Sequence, residues 1–259
     1  MSFNVRQVYR GKRQADFLRY IGSPRELRGI EIGALDFPTF NKEESQVKFV
    51  DNLSYEELME KYKDSSVFNP QEIVRPDYVV KTLEEYHTIG ERFDYIIACH
   101  VLEHLPNPWG FIRTLGELLV KRGKLFLTIP DKRFIAEDRW RENTPFPHLL
   151  ADDLGNATTL TFDHYFDFVW GREIMKKTDG PAMWKQAQDL YKKRTFDIHA
   201  HVWTDRAFRQ HLFWAKEWGC IPLKICLHGM TPYSAGLNEF AVILERGEGE
   251  IHGWQRSMS

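Results

Sequence analysis

The chain has 259 residues, 42% of them hydrophobic, 14% aromatic and 28% charged, with a formal net charge of −2. That is enough apolar material for one large core, and the mixed, nearly balanced charge excludes a general nucleic-acid binder. Three cysteines, Cys99, Cys220 and Cys226, are too few and too odd in number for a disulfide framework, so a reduced, cytoplasmic protein is expected. No run approaches the roughly 18 apolar residues of a membrane span, and "MSFNVRQVYRGKRQADF" carries no apolar signal core.

In chain order, "QADFLRYI" (14–21) reads as a short helix ahead of a first strand, "RGIEIGA" (28–34), which ends in Gly33. "VKFVDN" (47–52) is a second strand ending in Asp51, and Ser54 caps a helix over "SYEELMEKY" (54–62). "DYVVKTL" (77–83) gives a third strand and the nearly all-apolar "FDYIIAC" (93–99) a fourth. Asn107 and Pro108 open a helix whose stripe is Phe111, Ile112, Leu115, Leu118 and Leu119. Lys121 and Arg122 suit its C-terminal dipole, and Gly123 is expected to end it. "KLFLTIP" (124–130) is a fifth strand.

Residues 131–198 break the alternation with charges, prolines and scattered aromatics, and read as a mostly helical insertion. Thr204 then caps a helix over "DRAFRQHLFWAKEWG", and "PLKICLHG" and "NEFAVILER" close the chain as two strands, expected to be antiparallel. The alternation predicts an α/β fold: a Rossmann-like, seven-stranded, mostly parallel sheet with helices on both faces and a largely helical insertion after the fifth strand. Ligands of such sheets sit at the C-terminal strand edge. The residues that follow the strands therefore matter most: Gly33, Asp51, Lys81 with Leu83, His100 and Asp131.

"HVLEH" (100–104) has the His-x-x-Glu-His pattern of inverted zinc peptidases. That chemistry needs both histidines on one continuous helix. Here a strand ends at Cys99 and Pro106 biases Leu105 away from helix, which leaves one turn at most. His100 and Glu103 are better placed on the lip of the fourth strand, with His104 capping the turn.

"IEIGA", "FVDN", "FDYIIACHVLEHLPNP" and "KRGKLFLTIPDKR" together resemble the successive motifs of a class I S-adenosylmethionine-dependent methyltransferase of the small-molecule branch. The likeness covers roughly residues 28–134. "HAHVWT" is similar to a subgroup of methyltransferase-like proteins of surface-polysaccharide biosynthesis. The resemblance implies a cofactor-binding domain over residues 1–130 and 199–259, with 131–198 as a substrate-binding cap. It implies cofactor contacts from Glu31, Gly33, Asp51, Leu83 and His100. Gly33 would admit the methionine part, Asp51 would accept hydrogen bonds from the ribose hydroxyls, and Leu83 would flank adenine. The family's loop is Gly-rich, whereas "GALDFP" offers only Gly33.

Transfer to a hydroxyl is helped by a general base, and histidine suits neutral pH. His164 in "FDHYF" and His199 and His201 in "HAHVW" are the candidates. His164 and His201 are assigned to catalysis and His199 to the substrate. His199 and His201 would share one face of an extended stretch. With Asp163 or Asp197 these histidines could also compose a metal site, but the x-His-x-His form is common without one, and no metal is assigned. Lys132 and Arg133 follow the fifth strand, where they would either bind an anionic substrate group or form a solvated basic pair. Tyr165 is assigned to stacking on a sugar ring, although the aromatics of "TFDHYFDFVW" also suit a local core.

The leading expectation is thus an O-methyltransferase acting on a sugar, sugar nucleotide or similar small metabolite. The alternative is a degenerate methyltransferase fold acting as a non-catalytic partner subunit, for which "GALDFP" is the support. A dinucleotide oxidoreductase lacks its Gly-x-Gly-x-x-Gly here, and a base-flipping methyltransferase lacks its Asn/Asp-Pro-Pro-Tyr motif.

Overall fold

The computed structural model describes residues 5–195, 197–225 and 237–247. Cys226 and the end of the predicted strand "PLKICLHG" lie outside them. Strands β1 (Arg28–Ile32), β2 (Gln46–Asp51), β3 (Tyr78–Val79), β4 (Phe93–Cys99), β5 (Leu119–Pro130), β6 (Leu223–Ile225) and β7 (Glu239–Arg246) form one sheet in the order β3-β2-β1-β4-β5-β7-β6. The first five run parallel, and β7 lies antiparallel to both β5 and β6. The strand order reverses between β1 and β4, which opens a crevice above their C-terminal ends.

Apolar runs become central strands because both faces are covered. Ile96 and Ala98 of β4 face one core with Leu125, Leu127 and Ile129 of β5. Tyr95 and Ile97 face the other with Phe126. Helix α1 (Val5–Tyr20) closes the second face through Phe17, which is fully buried and meets Phe40, Tyr95 and Phe126 edge-on. Burying such a ring is worth roughly 1.5–3 kcal/mol. Helix α2 (Tyr55–Tyr62) starts at the expected Ser54, with a full capping box to Glu57. Among the described residues no helix is long and apolar enough to cross a membrane.

Three boundaries differ from expectation. Helix α1 begins at Val5, well before residue 14. The third strand is two residues long because the chain turns after Val80 into a 3-10 helix, Glu84–Ile89, at the sheet edge. Helix α3 (Pro108–Leu118) has the predicted Asn107 cap but stops at Leu118, not at Gly123. Leu119 is fully buried and already pairs with Phe93, and the next pair is Tyr95 with Lys124. The residues between bulge out of β5, with Arg122 at φ 62°. Gly123 serves this bulge, since a Cβ there would come within 2.9 Å of the Val120 carbonyl and 3.0 Å of the Phe93 carbonyl.

After β5 come α4 (Phe146–Leu154), α5 (Phe162–Glu173) and α6 (Gly180–Lys193). They enclose a small core of their own that includes Leu160, Tyr165, Val169, Met183 and Ala187. The stretch 198–203 returns the chain to the sheet before α7 (Asp205–Glu217). It is stitched down by hydrogen bonds from His201 N to Glu103 O (3.0 Å), Thr144 N to Val202 O (2.9 Å) and Lys132 N to Trp203 O (2.9 Å).

Candidate active site

The C-terminal ends of β1, β2 and β4 and the turn after β3 line a cavity of about 1200 Å³. Gly33, Asp51, Leu83, His100 and His199 all border it. Glu31 borders it too, but its carboxylate is engaged: both oxygens accept the Thr39 N–H at 2.9 Å, and one accepts the Thr39 hydroxyl at 2.8 Å. Burial pushes the Glu31 carboxyl up to about 7, against the Thr39 bonds and Arg13, which favour the charged form. Its carboxylate thus anchors the loop that follows β1.

The loop it anchors does not need the missing glycines. Gly33 is left-handed at φ 66°, and Leu35, two residues on, is left-handed at φ 48°. A non-glycine residue there costs roughly 1–2 kcal/mol. The surroundings hold it in place. The Leu35 carbonyl accepts Val74 N at 2.8 Å, and Phe37 N bonds the Ala34 carbonyl at 2.9 Å. Buried Asp36 accepts Arg6 at 2.7 and 3.1 Å and Asn69 N at 2.7 Å. A Cβ on Gly33 would lie 3.2 Å from Val101 Cγ2, so the backbone sits close against the lip of β4.

Asp51 ends β2, is 9% exposed, and accepts Leu53 N at 3.1 Å through Oδ1. Burial raises its carboxyl above the ordinary value, opposed by the N–H groups of Leu53 and Asn52. His100 follows β4 in left-handed backbone at φ 54°, and its Nε2 meets Glu239 Oε2 at 2.6 Å. Arg13 of α1 donates to the same carboxylate at 2.9 and 2.5 Å. Burial alone would raise Glu239, but Arg13 and His100 hold it down at about 2. Neither Arg13 nor Glu239 was visible as a site residue in the sequence, because they lie at opposite ends of the chain.

On the far side of the cavity, His199 donates or shares a proton through Nδ1 with the buried Asp138 carboxylate. Burial works against a charge on His199, and Asp138 outweighs it, leaving the ring above its ordinary value. Arg141, 2% exposed, pairs with Asp138 at 2.9 Å and holds the His199 and Ala200 carbonyls at 2.8 and 3.1 Å. His104 also borders the cavity, with its Nδ1 2.8 Å from the Ile198 carbonyl. The "HVLEH" stretch forms a 3-10 turn over Leu102–His104, with Glu103 facing His100 at 3.7 Å and His104 at 3.8 Å.

The other sequence assignments fall elsewhere. His164 and His201 meet each other, ring centroids 5.0 Å apart, but neither lines the cavity; both are 3% exposed or less. His199 and His201 part because residues 198–201 are bent rather than extended, so side chains two apart do not share a face. Tyr165 is 2% exposed and packs in the core of the helical segment, not on a binding surface. Arg133 is neutralised by Asp131 (2.5 Å) and Asp205 (2.8 Å), and Lys132 donates to the Arg139 carbonyl at 3.4 Å; neither borders the cavity.

Gly33, Asp51 and Leu83 line one cavity, whose volume exceeds that of ordinary small-molecule sites. A family model described as "Methyltransferase domain" matches residues 14–176, more than half of the chain. The ubiquinone biosynthesis O-methyltransferase of Azorhizobium caulinodans is 38% identical over 55 residues, a match that spans 21% of this chain and 22% of that protein. Similar solved structures include the CurJ carbon methyltransferase, 15% identical, with 93% of this chain and 57% of that one covered and a TM-score of 0.46. The magnesium protoporphyrin IX methyltransferase of Synechocystis PCC 6803 with bound SAM is 13% identical, with 94% and 80% covered and a TM-score of 0.45. The chain belongs to the methyltransferase domain family and spans only part of those relatives, 22% of the O-methyltransferase and 57% of the CurJ enzyme.

Proposed function

We propose that this enzyme O-methylates a hydroxyl of a sugar, sugar nucleotide or similarly small metabolite, with residues 131–198 forming a cap over the acceptor. The observation that carries the reading is the Asp138–His199 pair on the cavity wall. With Nδ1 committed to a carboxylate, the neutral ring keeps its free lone pair on Nε2. That is the arrangement of an oriented general base. Bound S-adenosylmethionine supplies an electrophilic methyl group. His199 takes the proton of the acceptor hydroxyl as the oxygen attacks in line. Asp138 holds the tautomer, and Arg141 fixes the backbone that carries His199.

Residues Asn156, Ala157, Thr158 and Asp197 of the 131–198 segment border the same cavity, which supports its role as a cap. Lys61 of α2 also borders the cavity and pairs with Asp197 at 3.1 Å. The polar edges of Asn156, Thr158 and Asp197 suit a polyhydroxylated acceptor better than an apolar one. The left-handed backbone at Gly33 and Leu35 supports a shaped cofactor loop despite its single glycine.

The test is methyl transfer to a panel of sugars and sugar nucleotides, followed by release of S-adenosylhomocysteine. On an accepted substrate, His199→Ala should lower kcat by about 10²–10⁴-fold. Its affinity for S-adenosylhomocysteine should stay unchanged. Full turnover in His199→Ala would remove the assignment of the base, and a panel without any methylated sugar would remove the acceptor class.

A further inference from the structure

His164 and His201, which the cavity does not use, belong to a second cluster. His148 and Asp152 lie one turn apart on one face of α4, His164 sits in the first turn of α5, and His201 lies on the bent return segment. One ligand atom from each of the four residues lies within 4.8 Å of all the others. The closest approaches are His148 Nε2 to His164 Nε2 at 3.0 Å, and Asp152 Oδ2 to His148 Nε2 at 3.3 Å. Asp152 Oδ2 also lies 3.9 Å from His164 Nε2 and 4.0 Å from His201 Nε2. We infer that these four side chains bind one divalent transition-metal ion, zinc being the natural first candidate, and that this ion pins the helical segment 131–198 to the lip of the active site.

Proton counting favours the ion over a plain hydrogen-bonded network. Between His148 Nε2 and His164 Nε2 there is room for one proton. His164 Nδ1 accepts the Thr161 N–H at 3.2 Å, so with no ion bound His164 Nε2 donates this proton and His148 Nε2 accepts it, 3.3 Å from the Asp152 carboxylate. The Asp152 Oδ2 and His201 Nε2 atoms remain buried without a hydrogen bond within the cluster. Each such group costs roughly 1–3 kcal/mol. A single cation at the centre gives both a partner, with the His164 proton moved to Nδ1, 2.8 Å from the Thr161 hydroxyl oxygen.

The geometry agrees with this. Tetrahedral zinc holds nitrogen and oxygen ligands at about 2.0–2.1 Å, which places neighbouring ligand atoms about 3.3 Å apart. Four of the six separations, 3.0 to 4.0 Å, bracket that value, and all six lie within 4.8 Å. Outer groups to orient the ligands are present as well. His164 Nδ1 lies 2.8 Å from the Thr161 hydroxyl, which in turn bonds Asp163. Asp163 Oδ2 is 3.8 Å from His148 Nδ1, and the Trp203 ring stacks on His201 with centroids 5.7 Å apart. Four protein ligands leave no open position, so the ion is structural rather than catalytic. Its reach is direct: the backbone N–H of ligand His201 bonds the Glu103 carbonyl at 3.0 Å, inside the turn that carries His100 and His104.

The experiment uses the full chain, stripped with chelator, reloaded with zinc and dialysed, then read by elemental analysis. A cobalt(II)-loaded sample is read by its visible absorption. We expect one equivalent of zinc per chain and the intense visible bands of tetrahedral cobalt. Asp152→Asn keeps the shape of the side chain and should lower zinc affinity tenfold or more. Glu103→Gln, in a separate His and Glu cluster by the cavity, should leave zinc content unchanged. His148→Gln, the most exposed of the ligands, is the second variant should Asp152→Asn fail to fold. A chain that retains no zinc, weak octahedral cobalt bands, or zinc lost in Glu103→Gln but kept in Asp152→Asn would overturn the inference. None of these readouts depends on which acceptor the enzyme methylates.

Discussion

Replacing Asp51 tests where the cofactor lies. The carboxylate ends β2 on the cavity wall, and Oδ1 already accepts Leu53 N at 3.1 Å. Asp51→Ala therefore removes two things. One is a local backbone bond, worth about 0.5–1.5 kcal/mol of stability. The other is a charged acceptor for the ribose hydroxyls, worth about 1.5–3 kcal/mol of binding. The binding loss corresponds to an affinity for S-adenosylhomocysteine lower by about 10- to 150-fold. Asp51→Asn keeps an acceptor for Leu53 and removes only the charge, so it should lose less affinity and almost no stability. Calorimetric titration with S-adenosylhomocysteine reads the first quantity and urea unfolding the second. If Asp51→Ala is folded and binds as tightly as the parent, the ribose does not sit at Asp51 and the placement of the whole cofactor fails.

Gly33→Ala forces a side chain into left-handed backbone, 3.2 Å from Val101 Cγ2. It should lose about 1–2 kcal/mol in urea unfolding together with cofactor affinity, and an unchanged midpoint would show that the loop backbone relaxes. Glu239, held down at about 2 in the fold, contributes stability above its ordinary value of 4.5 that is lost as pH falls from there through 2. That contribution is roughly 3 kcal/mol, and Glu239→Gln should erase this acid dependence while destabilising the protein at neutral pH, because Arg13 is left buried without its carboxylate. Urea midpoints measured across that range check both points. Glu31 acts in the opposite sense: raised to about 7, it favours the fold most below 4.5 and loses that contribution as pH rises through 7, so Glu31→Gln should flatten the neutral limb of the stability profile.

Much of this was legible from local signals. Apolar runs gave β1, β2 and β4 nearly to the residue, and Ser54, Asn107 and Thr204 cap the helices that they were expected to cap. Strand ends pointed to Gly33, Asp51, Leu83 and His100, because a parallel sheet places ligands at that edge whatever its other details. These features depend on a few neighbouring residues, and neighbouring residues are what a sequence displays.

Tertiary structure decided the rest. The shape of the "GALDFP" loop is set by contacts that a count of glycines does not show, since Val74, Arg6 and Asn69 hold a leucine where free backbone would want a glycine. The histidines of "HAHVW" were sorted by partners far away in the chain. Asp138 takes His199 to the cavity, and His148, Asp152 and His164 surround His201 in the interior. Arg13 reached Glu239 and His100 only because α1 packs across the sheet on Phe17. Burial and charge pairing act between residues that the fold brings together, so a chain read in order fixes which side chains have chemistry to offer, and the packing of α1, α4 and α5 against the sheet determines where each of them applies it.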